Sequence, residues 1–169
     1  MVLHDGNGWA DCRCGQRHWG RHGASGLLLA RRGGAGRALE VLLQLRAAWT
    51  HQGGTWALPG GARDSHEDVV TAALREAREE TGVTADDVTV LAEHDGVDHV
   101  DWSYTYVIAV TRWPVEAVPR TSESEELRWL PPADVAALPL HPAFRGAWPG
   151  LCRARRSRSS RRPTGTTPS

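Results

Sequence analysis

Apolar residues in this chain gather in short runs separated by glycine-rich and polar segments, with one stretch of helical periodicity between them. Leu27-Leu28-Leu29-Ala30 reads as a buried strand and Arg31-Arg32-Gly33-Gly34 as the turn after it. Residues 38–46 form a second strand through Val41, Leu43 and Leu45, and the loop 47–55 leads to a short strand over 56–58. Pro59 then stops ladder pairing, and Gly60-Gly61 permits an unusual backbone path. From about Ser65 the period becomes helical: Val70, Ala73, Leu74 and Ala77 make an apolar stripe. Ser65 stands as the expected N-cap, with Asp64, Glu67 and Asp68 at the positive dipole end, and Gly82 as the C-terminal stop.

The second half returns to strands. Residues 88–93 and 102–111 fit, the latter alternating through Tyr104, Tyr106 and Ile108, while the polar stretch 94–101 reads as a loop or hairpin end. A short strand over 126–130 precedes a helix starting at Pro131-Pro132, and a final helix is predicted over about 142–148. Strands, helix, then strands again predict the α/β class: a mixed β-sheet sandwiched between helices, an α/β/α sandwich.

Composition sharpens the boundaries. With 169 residues, 40% of them hydrophobic, the chain reads as one globular domain over 23–150. Residues 1–22 have little periodicity and read as an irregular arm. Residues 151–169 carry six Arg and no acidic residue, and their Arg, Ser, Thr and Pro bias predicts a disordered tail. No aromatic residue interleaves those arginines, which argues against nucleic acid as a partner. No apolar run approaches the length of a membrane span and no basic, apolar leader opens the chain, so a cytoplasmic location is expected. Cys12, Cys14, His18 and His22 offer four soft ligands within eleven residues, but their spacing is not a familiar zinc pattern.

The helical stretch holds the chemistry. Glu76, Glu79 and Glu80 stand at i, i+3 and i+4, so they share a helix face and repel one another unless a cation sits among them. Carboxylates suit a hard divalent ion, Mg2+ or Mn2+. Upstream, Glu67 follows Gly61 by six positions, and the run closes as Arg75-Glu76-Ala77-Arg78-Glu79-Glu80-Thr81-Gly82-Val83. This pattern resembles the Nudix box of the Nudix (MutT-like) hydrolases, with Ala77 where a larger aliphatic often stands. Trp56 to Gly61 resembles the family's lead-in, Glu126-Leu127-Arg128-Trp129 a late strand, and the likeness covers about residues 23–149.

The resemblance implies hydrolysis of a nucleoside diphosphate linked to a further group. It also implies a nucleotide small-molecule substrate and metal ligation by Glu76, Glu79, Glu80 and the Gly61 carbonyl. Glu67 and Arg75 are expected to support those ligands. Catalytic roles fall to Glu79, Glu80 and, outside the box, Glu126, with Glu123 and Glu125 as further acids to test. Trp102 and Tyr104 are the candidate base-binding residues; Trp49 and Trp56 could stack on a base as well. The expected substrate is a nucleoside triphosphate, oxidised ones included. ADP-ribose or nucleotide-sugar cleavage, a non-catalytic nucleotide sensor and RNA-end processing are the alternatives, and a homodimer stays open.

Overall fold

A computed structural model describes residues 4–33 and 38–159, the side chains of 155–159 excepted. Chain order is β1 (Trp9–Asp11), β2 (Arg17–Trp19), β3 (Ala24–Arg32), β4 (Leu39–Arg46), β5 (Trp56–Ala57), β6 (Gly60–Ala62) and α1 (Val69–Thr81). It continues with β7 (Val88–Asp98), β8 (Ser103–Thr111), β9 (Ser124–Leu130), α2 (Pro132–Val135) and α3 (Pro142–Ser159). β1 and β2 pair as a separate hairpin. The main sheet runs β5-β4-β3-β8-β7, with β6 added to β3 and β9 to β4. β3 and β8 are parallel and the other pairs antiparallel, so the sheet is mixed.

Strand alternation sends side chains to two cores. Leu27, Leu29, Leu42, Val107 and Ala109 meet Ala73 and Ala77 of α1 on one face. On the other, Leu28, Val41, Leu43, Tyr106 and Ile108 meet Val135 of α2 and Phe144, Trp148 and Leu151 of α3. The sheet thus lies between helices, an α/β/α sandwich. β3 is central and buried on both sides, which is why its apolar run does not alternate.

Several local expectations change. The N-cap of α1 is Asp68, not Ser65: its carboxylate accepts from Thr71 N–H at 2.7 Å. Ser65 lies upstream, its N–H donating to Asp5 at 2.9 Å, and Asp64 and Glu67 form a turn before the helix rather than its first turn. Gly82 ends the helix as expected, at φ 78° with its N–H on Arg78 O. The polar stretch 94–101 is mostly strand, because β7 runs to Asp98 along the sheet edge, where outward acidic residues are tolerated.

The ends differ too. Residues 1–22 contain a hairpin whose three-residue strands are too short to register as periodicity. The boundary at 150 falls inside α3, which continues to Ser159 and buries Leu151 completely. Arginine is a good helix former, so an Arg-rich segment anchored by a core leucine extends the helix. The rest of the expected tail, 160–169, lies outside the described residues. Among the described residues no helix is long and apolar enough to cross a membrane.

Candidate active site

The small stripe Ala72, Ala73 and Ala77 lets α1 lie close on the sheet. Its Glu-bearing flank then meets the Gly60-Gly61 strand β6. Gly61 lets Glu76 lie close: a Cβ would come within 2.6 Å of the Glu76 carboxyl carbon and displace that carboxylate. Arg75 organises the cluster. Its Nε and Nη2 donate to the two Glu67 oxygens at 2.7 and 2.9 Å, Nη1 donates to Glu76 Oε1 at 2.8 Å, and Nη2 also reaches Ala62 O at 2.9 Å. Glu79 Oε2 stands 3.5 Å from Nη1 and is the most exposed of these carboxylates.

Glu80 is built differently. It is 6% exposed and accepts only neutral hydrogen bonds, from Gln44 Nε2 at 3.2 Å and Gly60 N–H at 2.9 Å. Burial pushes its carboxyl up to about 8, with Glu76 adding to the rise; Gln44, Gly60 and the more distant Arg46 oppose it. Burial likewise raises Glu76, against the pull of Arg75. Glu67 is held low, chiefly by the Arg75 hydrogen bonds. Glu80, desolvated with neutral partners only, Glu76, desolvated but paired with Arg75, and the more accessible Glu79 are three carboxylates on one helix flank. Oxygen donors of this kind suit a hard divalent cation, and Glu76, Glu79 and Glu80 are the residues that could hold one.

The other expected residues separate. Tyr104 is partly buried and packs with the core on the α2–α3 face of the sheet; burial first, then Tyr106, Glu80 and Glu76, pushes its phenol up. Trp102 fastens the hairpin: its Nε1 donates to Gly20 O at 2.9 Å and its ring stacks on His18. Glu126 lies opposite Leu45 on β9, tied to Arg128 at 2.7 Å rather than to the box. Glu125 accepts from Ala48 N–H at 3.0 Å, and Glu123 is exposed. Trp56 is core, under the Arg128 guanidinium, whereas Trp49 is exposed. His22 turns to Asp5, 3.7 Å away, and leaves the Cys12–Cys14–His18 group.

Gln44 was missed by sequence reasoning. It is 2% exposed and bridges Glu80 and Ser124, with Nε2 2.6 Å from Ser124 Oγ. The available signal was a lone amide inside the apolar run Val41-Leu42-Leu43-Gln44-Leu45, where a buried polar group needs partners.

Comparison with known proteins agrees with this geometry. A family model for the NUDIX domain matches residues 20–149. "Putative 8-oxo-dGTP diphosphatase 3" of Mycobacterium tuberculosis is 48% identical over 156 residues, covering 89% of this chain and 71% of the relative. A "Nucleoside triphosphate pyrophosphatase/Nudix hydrolase fusion protein" of Bifidobacterium longum is 44% identical over 151 residues, covering 88% of this chain and 31% of that one. The crystal structure of a Nudix hydrolase from M. smegmatis, RenU, superposes with a TM-score of 0.83 at 44% identity, covering 97% of this chain and all of that one. The chain belongs to the Nudix family and is a Nudix hydrolase.

Proposed function

We propose that this Nudix hydrolase is a divalent-cation-dependent pyrophosphohydrolase of nucleoside triphosphates, oxidised guanine nucleotides among them. The observation that carries the reading is the Glu76–Glu79–Glu80 series on one flank of α1, in which Glu80 is buried with neutral partners only. The names of the M. tuberculosis and B. longum relatives support the triphosphate class. Mg2+ or Mn2+ bound there supplies neutralisation of the diphosphate and a lowered pKa for water.

The chain's own residues do the rest. Glu80 and Glu76 hold the cation with the Gly61 carbonyl, and the absence of a Cβ on Gly61 keeps that approach open. Arg75 fixes Glu76 and leaves its second oxygen free for a ligand. Glu79, the most accessible of the three, takes the proton from the attacking water. Glu126 is the alternative base, provided Arg128 releases it. Tyr104 and Trp102, their ring centroids 6.4 Å apart, are the aromatic pair assigned to the base. The substrate is a small nucleotide.

The test is a panel of nucleotides incubated with Mg2+ or Mn2+, with products separated by chromatography. Release of pyrophosphate and a nucleoside monophosphate from triphosphates is expected, with preference for oxidised guanine nucleotides. AMP and ribose 5-phosphate from ADP-ribose as the dominant products would move the assignment to nucleotide sugars. Binding without turnover under either metal would make the domain a sensor and overturn the proposal.

A further inference from the structure

The turn between β1 and β2, Cys12-Arg13-Cys14-Gly15-Gln16, is tightly closed. Cys12 N–H donates to Gln16 O at 3.1 Å and Gly15 N–H to Cys12 O at 2.9 Å. Gly15 adopts φ 86°, a conformation that strains any residue with a side chain. The result is a compact group of soft donors. Cys14 Sγ lies 3.2 Å from His18 Nε2, and Cys14 N–H donates to Cys12 Sγ at 3.4 Å. The ligand atoms of Cys12, Cys14 and His18 all lie within 4.8 Å of one another. Tetrahedral ligands about 2.0–2.3 Å from zinc stand about 3.5–3.8 Å apart, so small side-chain rotations fit this triangle to the ion.

We infer that the hairpin turn is a zinc site, separate from the box, in which Cys12, Cys14 and His18 are the protein ligands. Two thiolates and an imidazole select a softer ion than the all-oxygen box does. The N–H···S bond to Cys12 favours its thiolate, the form that binds metal. The His18 ring is oriented by stacking on His99, at 4.6 Å between centroids, and on Trp102, at 4.5 Å. Cys14 is exposed, which leaves the fourth position open to solvent.

The site also has a place in the architecture. Arg13, between the two cysteines, forms a forked ion pair with Asp101, and Trp102 holds Gly20. A zinc ion therefore locks the turn that grips the β7–β8 connection. β1 and this turn lie before residue 20, where the Nudix match begins.

The test uses untagged, reduced full-length protein. Zinc content by mass spectrometry is expected at one ion per chain, and Co2+ replacement is expected to give thiolate-to-cobalt charge transfer with intense tetrahedral d–d bands. Cys12→Ser and Cys14→Ser each weaken cobalt binding by more than about 100-fold, beyond the 10–100-fold typical of outer-shell changes. His18→Ala removes the tetrahedral bands. Circular dichroism and the Mg2+-induced thermal shift check that each variant is folded with its box intact. Weak octahedral bands in the parent protein would overturn the assignment. So would cobalt affinity that the substitutions leave unchanged, or a Cys12–Cys14 disulfide in protein that takes up no metal after reduction.

Discussion

The box helix and the N-terminal hairpin both gather polar groups, but over very different chain distances. Around Arg75 every partner comes from residues 62–79, and the guanidinium is only 14% exposed. The hairpin draws two of its hydrogen-bonded partners from 82 to 88 positions away, Trp102–Gly20 and Arg13–Asp101, and the latter pair is exposed. Breaking a buried ion pair costs about 3–5 kcal/mol, whereas exposed pairs contribute about 0–1 kcal/mol. The box is therefore rigid by local encoding, and the hairpin is held by a few long-range contacts that single substitutions can loosen.

The comparison breaks most sharply at the carboxylates. Glu79→Gln and Glu80→Gln should each lower kcat by about 10²–10⁴-fold, the range for losing a group that moves a proton or helps activate water. Melting temperatures should hold, and for Glu80→Gln the escape from the burial penalty offsets the one acceptor that an amide gives up between Gln44 and Gly60. Near-normal turnover in both variants would remove these residues from the site. Arg75→Ala should cost about 3–5 kcal/mol in urea unfolding, since it strands the buried Glu67 carboxylate. Arg75→Lys should recover only part of that loss, because an ammonium cannot fork onto both Glu67 oxygens. Full recovery with Lys would show that charge alone, not geometry, holds the box.

What could be read from the sequence divides along the same line. The Gly61-to-Val83 spacing exposed the Glu face and the Arg75 hub because all the partners are neighbours in the chain. Gln44 comes from β4 and meets Glu80 only after the sheet forms, so no spacing pointed to it. Trp102 also bonds a carbonyl 82 residues earlier through its indole, a contact that no local spacing indicates. Polarity misled twice. The acidic stretch after Glu93 is an exposed edge strand, and the arginines after Leu151 begin on a helix anchored by that buried leucine.

A pH series tests the electrostatic side of the box. The folded Glu80 carboxyl is raised to about 8 from an ordinary 4.5, so between these values the folded state keeps a proton that the unfolded chain has lost. Metal-free stability from this group should therefore fall as pH rises from about 4.5 to 8. Glu67 has the opposite sign, but its lowered pKa confines the loss to more acidic solution, below about 4.5. A divalent cation binds the carboxylate, so the Mg2+-induced rise in melting temperature should be larger at about pH 8 than at about pH 6. An equal rise at both would separate the cation from Glu80.

The smallest expected effect belongs to the hairpin. Trp102→Phe keeps an aromatic ring beside His18 but deletes the donor to Gly20 O, a loss of about 1 kcal/mol for a single neutral hydrogen bond. Amide exchange should quicken over β1 and β2, while the Arg75-centred amides of α1 keep their protection. If kcat holds and KM rises, Trp102 also shapes the nucleotide pocket through the hairpin it fastens. If α1 exchanges faster as well, the two regions share one cooperative unit, and the contrast between local and borrowed contacts fails as an account of their stability.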